Sequence, residues 1–341
     1  MTQTIFITSP LEAEHVATLR AVSREVRVLY EPELMPKQRY VADHKGEPMR
    51  RTPAQTARFR AALAEAEILF DLPSAEDLPF CPKLRWVQTT STGVGPAVAA
   101  LGLDRTDVLI TTARGVHAGP LAEFVFMALL AHFRGLAHLQ AEQRAHRWTR
   151  YCGEEVAGRT LVVIGAGDLA RGVARVGQAL GLRIIAVARD PAKPRPAGLF
   201  DEVVPTAALH AALARADAVV VTVPGLPATA GLIDAAAIAA MPAGCALVNI
   251  GRGTVIDEVA LTAALRSGHL GFAALDVTEV EPLPAESPLW DMANVLISPH
   301  SASTVSRENA KITAIFAENL RLWLDGRVAE MRNILDKSLL Y

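Results

Sequence analysis

The chain has 341 residues, 34 Lys and Arg against 36 Asp and Glu, and 51% apolar residues with 21% charged. That length and apolar share fit two buried cores, and a formal net charge of −2 leaves no basic footprint for nucleic acid or an anionic membrane. Aromatic residues at only 5% favour aliphatic parallel strands under helices over an aromatic-rich sandwich.

In chain order, short β-branched runs alternate with helical patterns. Thr4–Thr8 reads as a strand, a helix starts near Leu11, and Glu25–Tyr30 reads as the next strand. Glu31–Thr52, punctuated by Pro32, Pro36, Gly46 and Pro48, reads as a loop. Its Lys37, Arg39, Lys45, Arg50 and Arg51 fit either a clamp for an anionic substrate or, as the favoured reading, a solvated surface. A helix over Pro53–Ala66 follows, then strands at Glu67–Leu72, Arg85–Thr89 and Val108–Ala113. The apolar stretch after Gly119-Pro120 predicts one helix from Leu121 to about Ala141, buried between domains or subunits, and with it a homodimer.

After a polar, irregular stretch over Gln143–Gly158 the alternation restarts. Strands are predicted at Thr160–Gly165, Arg183–Ala188, Asp201–Val204, Asp217–Val223, Cys245–Ile250, Gly271–Val277 and Asn294–Ser298. Helices fall at Asp168–Leu180, near Ala207–Ala216 and at Asp257–Ser267, with a terminal helix over about Val305–Leu324. The expected fold class is α/β with two doubly wound parallel-sheet domains, one flavodoxin-like for the substrate and one Rossmann-like for a dinucleotide. Residues 1–115 with 302–341 form the first, because the terminal helix follows the last strand and returns to it; residues 116–301 form the second. The active site is expected in the cleft between them.

Cys81, Cys152 and Cys245 are odd in number and lack metal-ligand spacing, so neither a disulfide framework nor a metal site is expected. The start, Met1-Thr-Gln-Thr-Ile-Phe-Ile, lacks a basic segment and a long apolar run and reads directly as a strand, which predicts a cytoplasmic protein. The longest uncharged runs are interrupted by Pro224, Pro227, Pro242 and Gly244, so no membrane span is expected.

The most specific motif is Gly165-Ala-Gly167-Asp168-Leu169-Ala170, placed after a hydrophobic strand and at the mouth of a helix. Gly165 suits the tight turn, Gly167 lets the backbone approach a pyrophosphate, and small Ala170 lets helix and strand pack closely. Helix amides there would face the phosphate charge. The next strand ends at Arg189-Asp190, where an acidic residue would accept from the ribose hydroxyl of NAD and an arginine would pair with the 2′-phosphate of NADP. Side chains alternate along a strand, so only one of the two faces the ribose; NADP(H) is favoured over NAD(H).

Three further polar segments end predicted strands: Asn249-Ile250-Gly251-Arg252-Gly253, Asp276 through Glu281-Pro-Leu-Pro284, and Ser298-Pro-His300. Reducing a 2-oxo acid requires a proton for the developing alkoxide and a cation for the carboxylate, roles suited to histidine and arginine. The turn Thr89-Thr-Ser91-Thr92-Gly93-Val-Gly95 has small residues whose amides suit a carboxylate, and it equally suits a helix start at Gly95-Pro96.

Together with Ala113-Arg-Gly-Val-His117, Leu121-Ala-Glu123, Val221-Thr-Val223-Pro224 and Ser287-Pro-Leu-Trp290, these motifs resemble the D-isomer-specific 2-hydroxyacid dehydrogenase family from about Val108 to Leu324. Before Val108 the likeness is mainly architectural. The resemblance implies that His300 is the acid/base, Glu281 its carboxylate partner, and Arg252 the group that holds the substrate carboxylate and polarises its carbonyl. It implies cofactor contacts at Gly165, Gly167, Asp168, Leu169, Arg189, Val223, Pro224, Ile250, Gly251, Arg252, Asp276 and His300, with Asp276 beside the nicotinamide. Substrate contacts fall on Ser91, Thr92, Gly93, Arg252 and His300. A carboxylate beside an imidazole favours the protonated ring and fixes its tautomer, as reduction requires.

The implied reaction is reduction of a small 2-oxo acid to its D-2-hydroxy acid. The alternative is a non-catalytic dinucleotide-sensing scaffold of the same fold. His117 and Glu123 are read as structural or near-cofactor groups, and Trp148 and Trp290 as packing residues. Ala170 and Arg189 depart from the commoner glycine and acidic residue of the family. Glu281 argues against a formate dehydrogenase, and the end at Tyr341 is read as leaving no room for a C-terminal regulatory domain.

Overall fold

In a computed structural model that describes residues 2–340, the polypeptide divides into two units, Met1–Val116 with Thr304–Tyr341, and His117–Ser303. The first is built from β1 (Gln3–Ile7), α1 (Ala13–Arg20), β2 (Val26–Leu29), α2 (Pro53–Glu65), β3 (Ile68–Phe70), β4 (Trp86–Gln88), α3 (Gly95–Ala100) and β5 (Leu109–Thr111). All five strands run parallel in the order β2-β1-β3-β4-β5, the flavodoxin-like arrangement. The strands are apolar throughout because both faces are covered. Ile5, Ile7, Ile68, Phe70 and Trp86 pack on one side, and Phe6, Leu69 and Val87 on the other. Thr52 starts α2 with a capping box to Gln55, and Pro53 occupies the first turn, where its missing N–H costs nothing.

The second unit contains α4 (Ala118–Phe133), α5 (Leu136–Arg144), β6 (Thr160–Ile164), α6 (Asp168–Ala179), β7 (Arg183–Ala188), β8 (Glu202–Pro205), α7 (Leu209–Leu213), β9 (Ala218–Val221), α8 (Ala235–Ala239), β10 (Cys245–Asn249), α9 (Glu258–Ser267), β11 (Leu270–Leu275) and β12 (Val295–Ile297). Its seven parallel strands run β12-β11-β10-β9-β6-β7-β8, a Rossmann order extended by one strand. Val162 and Ile164 face the α7–α9 layer, while Leu161 and Val163 face α4 and α6. The α4–α6 approach is close: a Cβ added to Gly172 would lie 2.7 Å from the Ala118 carbonyl oxygen, and one added to Gly177 would lie 3.2 Å from Phe126 Cζ.

The single helix expected over Leu121–Ala141 is two helices, α4 and α5, bent by 61°. The break is Gly135, whose φ of +66° is the left-handed conformation that glycine adopts without a Cβ penalty. The Tyr151 hydroxyl donates to the Arg134 carbonyl at 2.7 Å, so the irregular segment after α5 folds back onto the break. No single helix among the described residues is long and apolar enough to cross a membrane.

The terminal helix, α10 (Glu308–Leu324), lies in the first unit, with Phe316 fully buried against Phe70 and Trp86 at ring separations of 5.6 and 5.1 Å. Burial pushes the thiols of Cys81 and Cys245 up to about 11 and about 12, which removes them from thiolate chemistry near neutrality.

Candidate active site

In the second unit the C-terminal strand ends form one edge. Read across it, β12 leads to His300, β11 to Asp276, β10 to Ile250, Gly251 and Arg252, β9 to Val223 and Pro224, β6 to Gly165–Leu169, and β7 to Arg189. Five inter-strand steps separate β7 from β12, about 24 Å at the usual spacing. A ligand with two chemically distinct ends can therefore be held along this edge, at the switch between β6 and β9 where open α/β sheets bind ligands.

The β6 end fits a dinucleotide. Gly165 has φ +115°, and a Cβ there would stand 2.5 Å from Thr222 Oγ1. A Cβ on Gly167 would meet nothing within 4 Å, so open space lies at the N-cap of α6, where no side chain caps the helix. First-turn amides and the positive helix end suit pyrophosphate there. Asp168 pairs with Arg171 at 2.6 Å, which offsets its charge beside that space. Leu169 packs partly buried against the α4–α6 core. At the β7 end, the Asp190 carboxylate accepts from the Ala192 amide at 3.0 Å, and Arg195 donates to the carbonyls of Asp190, Pro191 and Lys193.

The other end of the edge brings Arg252, Asp276, Glu281 and His300 together through their loops. His300 Nδ1 lies 2.8 Å from Glu281 Oε2, and Glu281 Oε1 accepts from the Thr278 amide at 3.2 Å. With Nδ1 donating to a carboxylate, Nε2 is the remaining ring nitrogen. The two side chains are 45% and 39% exposed, so the imidazole is open to a small molecule. His300 has φ +54°, and its amide donates to the carbonyls of Asp276 and Ser298, both at 2.9 Å. This strained backbone is thus held by two bonds.

Asp276 is 3% exposed, its Oδ1 accepting from Ser298 Oγ at 2.7 Å and the Ala302 amide at 2.9 Å. Asn249, 1% exposed, accepts from the Gly251 amide at 3.0 Å and donates to the Arg252 carbonyl at 3.1 Å, which fixes the Arg252 backbone. The Arg252 guanidinium donates once, to Gly251 O at 2.7 Å. A Cβ on Gly253 would overlap the Thr278 carbonyl, so this glycine lets the Arg252 loop pack directly on the Thr278–Glu281 loop.

Thr278, Ser298 and Asn249 are the supporting residues that sequence reasoning assigned no role. All three fall in the polar segments at predicted strand ends, the one local signal that marks them.

In the first unit, Ser91, Thr92 and Gly93 are exposed just beyond β4. Thr89 Oγ1 and the Ala113 amide both donate to the Ser91 carbonyl, at 2.7 and 3.2 Å. Thr90 Oγ1 donates to Asp71 Oδ2 at 3.0 Å, and Asp71 itself has φ +81°. The turn is thereby held from two neighbouring strand ends.

Residues 126–302 match the family described as D-isomer specific 2-hydroxyacid dehydrogenase, NAD binding domain. The D-3-phosphoglycerate dehydrogenase of Mycobacterium leprae is 38% identical over 283 residues, covering 79% of this chain and 51% of that protein, so the chain spans about half the length of this relative. The glyoxylate reductase of Aeropyrum pernix is 31% identical over 295 residues, covering 81% of this chain and 84% of its own. Among solved structures, a D-isomer specific 2-hydroxyacid dehydrogenase from Xanthobacter autotrophicus in complex with NADPH and MES is 28% identical, with a TM-score of 0.79 over 100% of both chains.

Proposed function

Since the chain belongs to the D-isomer-specific 2-hydroxyacid dehydrogenase family, we propose that it is a cytoplasmic, homodimeric enzyme that reduces a small 2-oxo acid to its D-2-hydroxy acid, with NADPH favoured over NADH. The observation that carries this reading is the 2.8 Å pairing of His300 with Glu281 on the sheet edge that also holds Arg252 and the glycine turn. The bound nicotinamide would supply the hydride.

His300 holds the proton on Nε2 and delivers it to the carbonyl oxygen as that oxygen gains charge. Glu281, fixed by the Thr278 amide, accepts from Nδ1 and so orients the ring with Nε2 as the nitrogen left for the substrate. Arg252 uses one of its five N–H donors on Gly251, and the others pair with the substrate carboxylate and polarise the carbonyl. In the first unit, the amides of Ser91, Thr92 and Gly93 suit a substrate carboxylate. Asp276, held by Ser298 and Ala302, would stand beside the nicotinamide. Gly165, Gly167, Asp168 and Leu169 would hold the cofactor's phosphates, and Val223, Pro224, Ile250 and Gly251 would border its middle.

NADPH is favoured because the Asp190 carboxylate is engaged with its own turn at Ala192, and the guanidinium of Arg189 at the same strand end suits a 2′-phosphate. The Xanthobacter relative, solved with NADPH, supports the same choice. The decisive experiment follows absorbance of the reduced nicotinamide with glyoxylate, pyruvate, hydroxypyruvate and bulkier 2-oxo acids, using both cofactors, on wild type and Arg189→Ala. Wild type should oxidise NADPH with at least one acid, and Arg189→Ala should lose roughly ten- to a hundred-fold in kcat/KM with NADPH but little with NADH. No oxidation with any acid would remove the reductase reading. A wild-type preference for NADH would put Asp190 at the ribose.

The homodimer is supported by exposed Met127, Leu136 and Leu139 on α4 and α5 and by Trp148, which is 98% exposed. Sedimentation velocity at micromolar concentration should give a dimer; a monomer there would refute it.

A further inference from the structure

The 36–51 segment of the first unit is more ordered than a solvated charge run requires. Its five cations, Lys37, Arg39, Lys45, Arg50 and Arg51, face only Asp43 and Glu47 in the same stretch of an otherwise acidic chain. Asp43 is 2% exposed, and its carboxylate accepts from the Arg39 guanidinium at 2.7 and 3.0 Å and from the Gly46 amide at 2.9 Å. Gly46 has φ +64°, and a Cβ there would stand 2.7 Å from Pro36 Cβ. The loop is closed around this staple.

Arg51 is fixed separately, with its guanidinium 3.6 Å from the Phe59 ring centre and Nε donating to Leu34 O at 2.9 Å. Burial disfavours its charge, which Asp77 partly offsets, so an added anion would relieve the site. Arg39, Lys45, Glu47 and Arg51 line a cavity of about 390 Å³. Among the described residues the Lys45 ammonium has no carboxylate partner.

The loop is tied to the ligand-binding edge of its sheet. His44, next to Lys45, places Nδ1 3.4 Å from Ser9 Oγ, two residues beyond β1, and Nε2 3.4 Å from Glu308 in the first turn of α10. Ser9 and the Ser91–Gly93 turn follow β1 and β4, which are separated only by β3 and so lie about 10 Å apart. A short-chain acid and a lysine side chain together bridge such a span.

We infer that the 36–51 loop is an anion site that takes a second negatively charged group on the tail of the substrate, so that the preferred 2-oxo acids are dianionic. This rests on the 2-oxo acid reductase reading above. Lys45 supplies the mobile cation, with its backbone and Arg39 held by the Asp43 staple, and Arg51 is the cation fixed by Leu34 and Phe59.

The test compares oxaloacetate with 2-oxobutanoate, which differ by a distal carboxylate, in wild type, Lys45→Gln, Lys45→Glu and Lys45→Arg. Wild type should prefer oxaloacetate in kcat/KM. Lys45→Gln should cut that preference by about tenfold, Lys45→Glu should cut it further, and Lys45→Arg should restore most of it. All three should keep kcat/KM for 2-oxobutanoate within about twofold. Equal effects on both acids, or no wild-type preference, overturn the site.

A second measurement needs no turnover. Calorimetric titration of the full chain with inorganic phosphate should show binding that Lys45→Glu abolishes, and absent or unaltered binding overturns the site. If wild type reduces no 2-oxo acid, the reductase reading falls, and the phosphate titration still decides the loop.

Discussion

Replacing His300 with alanine should lower kcat for 2-oxo acid reduction by about two orders of magnitude or more, the scale on which a positioned general acid contributes. The substitution removes the imidazole that Glu281 and two backbone bonds orient. Cofactor binding should change little, since the phosphate-binding turn lies on β6, four strand steps from β12 with β9, β10 and β11 between. Arg252→Ala should differ in kind, raising KM as well as lowering kcat, because the guanidinium is asked to act both in binding and in polarising the carbonyl. Glu281→Gln keeps the shape but weakens the charge-assisted bond that orients the ring, so kcat should fall by less than in the His300 variant with KM little changed. Steady-state kinetics separates these three outcomes. Near-normal turnover in the His300 variant would mean that another group delivers the proton.

The second large effect concerns stability. Phe316→Ala should destabilise the first unit by about 3–5 kcal/mol, since a fully buried ring is removed from a close-packed core. Phe316 touches Phe70 on β3 and Trp86 on β4, and Trp323 stacks on Trp86 at 5.5 Å, so one helix closes the face over two strands. Trp86 and Trp323 belong to this unit, whereas Trp148 and Trp290 are exposed in the other. The red shift of buried tryptophan emission during denaturant unfolding therefore reports the first unit. An unchanged midpoint for that transition would show that α10 contributes little to this core.

The sheets were legible because both faces of each strand are covered. Continuous runs such as Leu161–Ile164 and Ala218–Val221, between turn residues, have few other ways to be buried. The break at Gly135 was not, because apolar residues continue on both sides of one glycine and periodicity does not register a change of axis. Short α8 was equally hidden: five residues of Ala235–Ala239 show no period, and its Asp234 cap becomes informative only once the helix is known. At the site, glycines and strand-end polar residues marked the chemistry. The Thr278 amide on Glu281 and the Ser298 hydroxyl on Asp276 depend on loop conformations that no local pattern encodes.

The seam between α4 and α6 places two familiar routes to a sturdier protein in opposition. Exchanging a mid-helix glycine for alanine ordinarily gains about 1 kcal/mol by restricting the unfolded chain and raising helix propensity. At Gly172 the new methyl would press on the Ala118 carbonyl, a backbone atom that cannot rotate away, so the gain is forfeited to overpacking. At Gly177 the nearest atom is the movable end of Ile184, although Phe126 closes in at 3.2 Å. Thermostabilising this helix is therefore a matter for its solvent face, and its sequence drift over generations should be slowest where it looks most improvable.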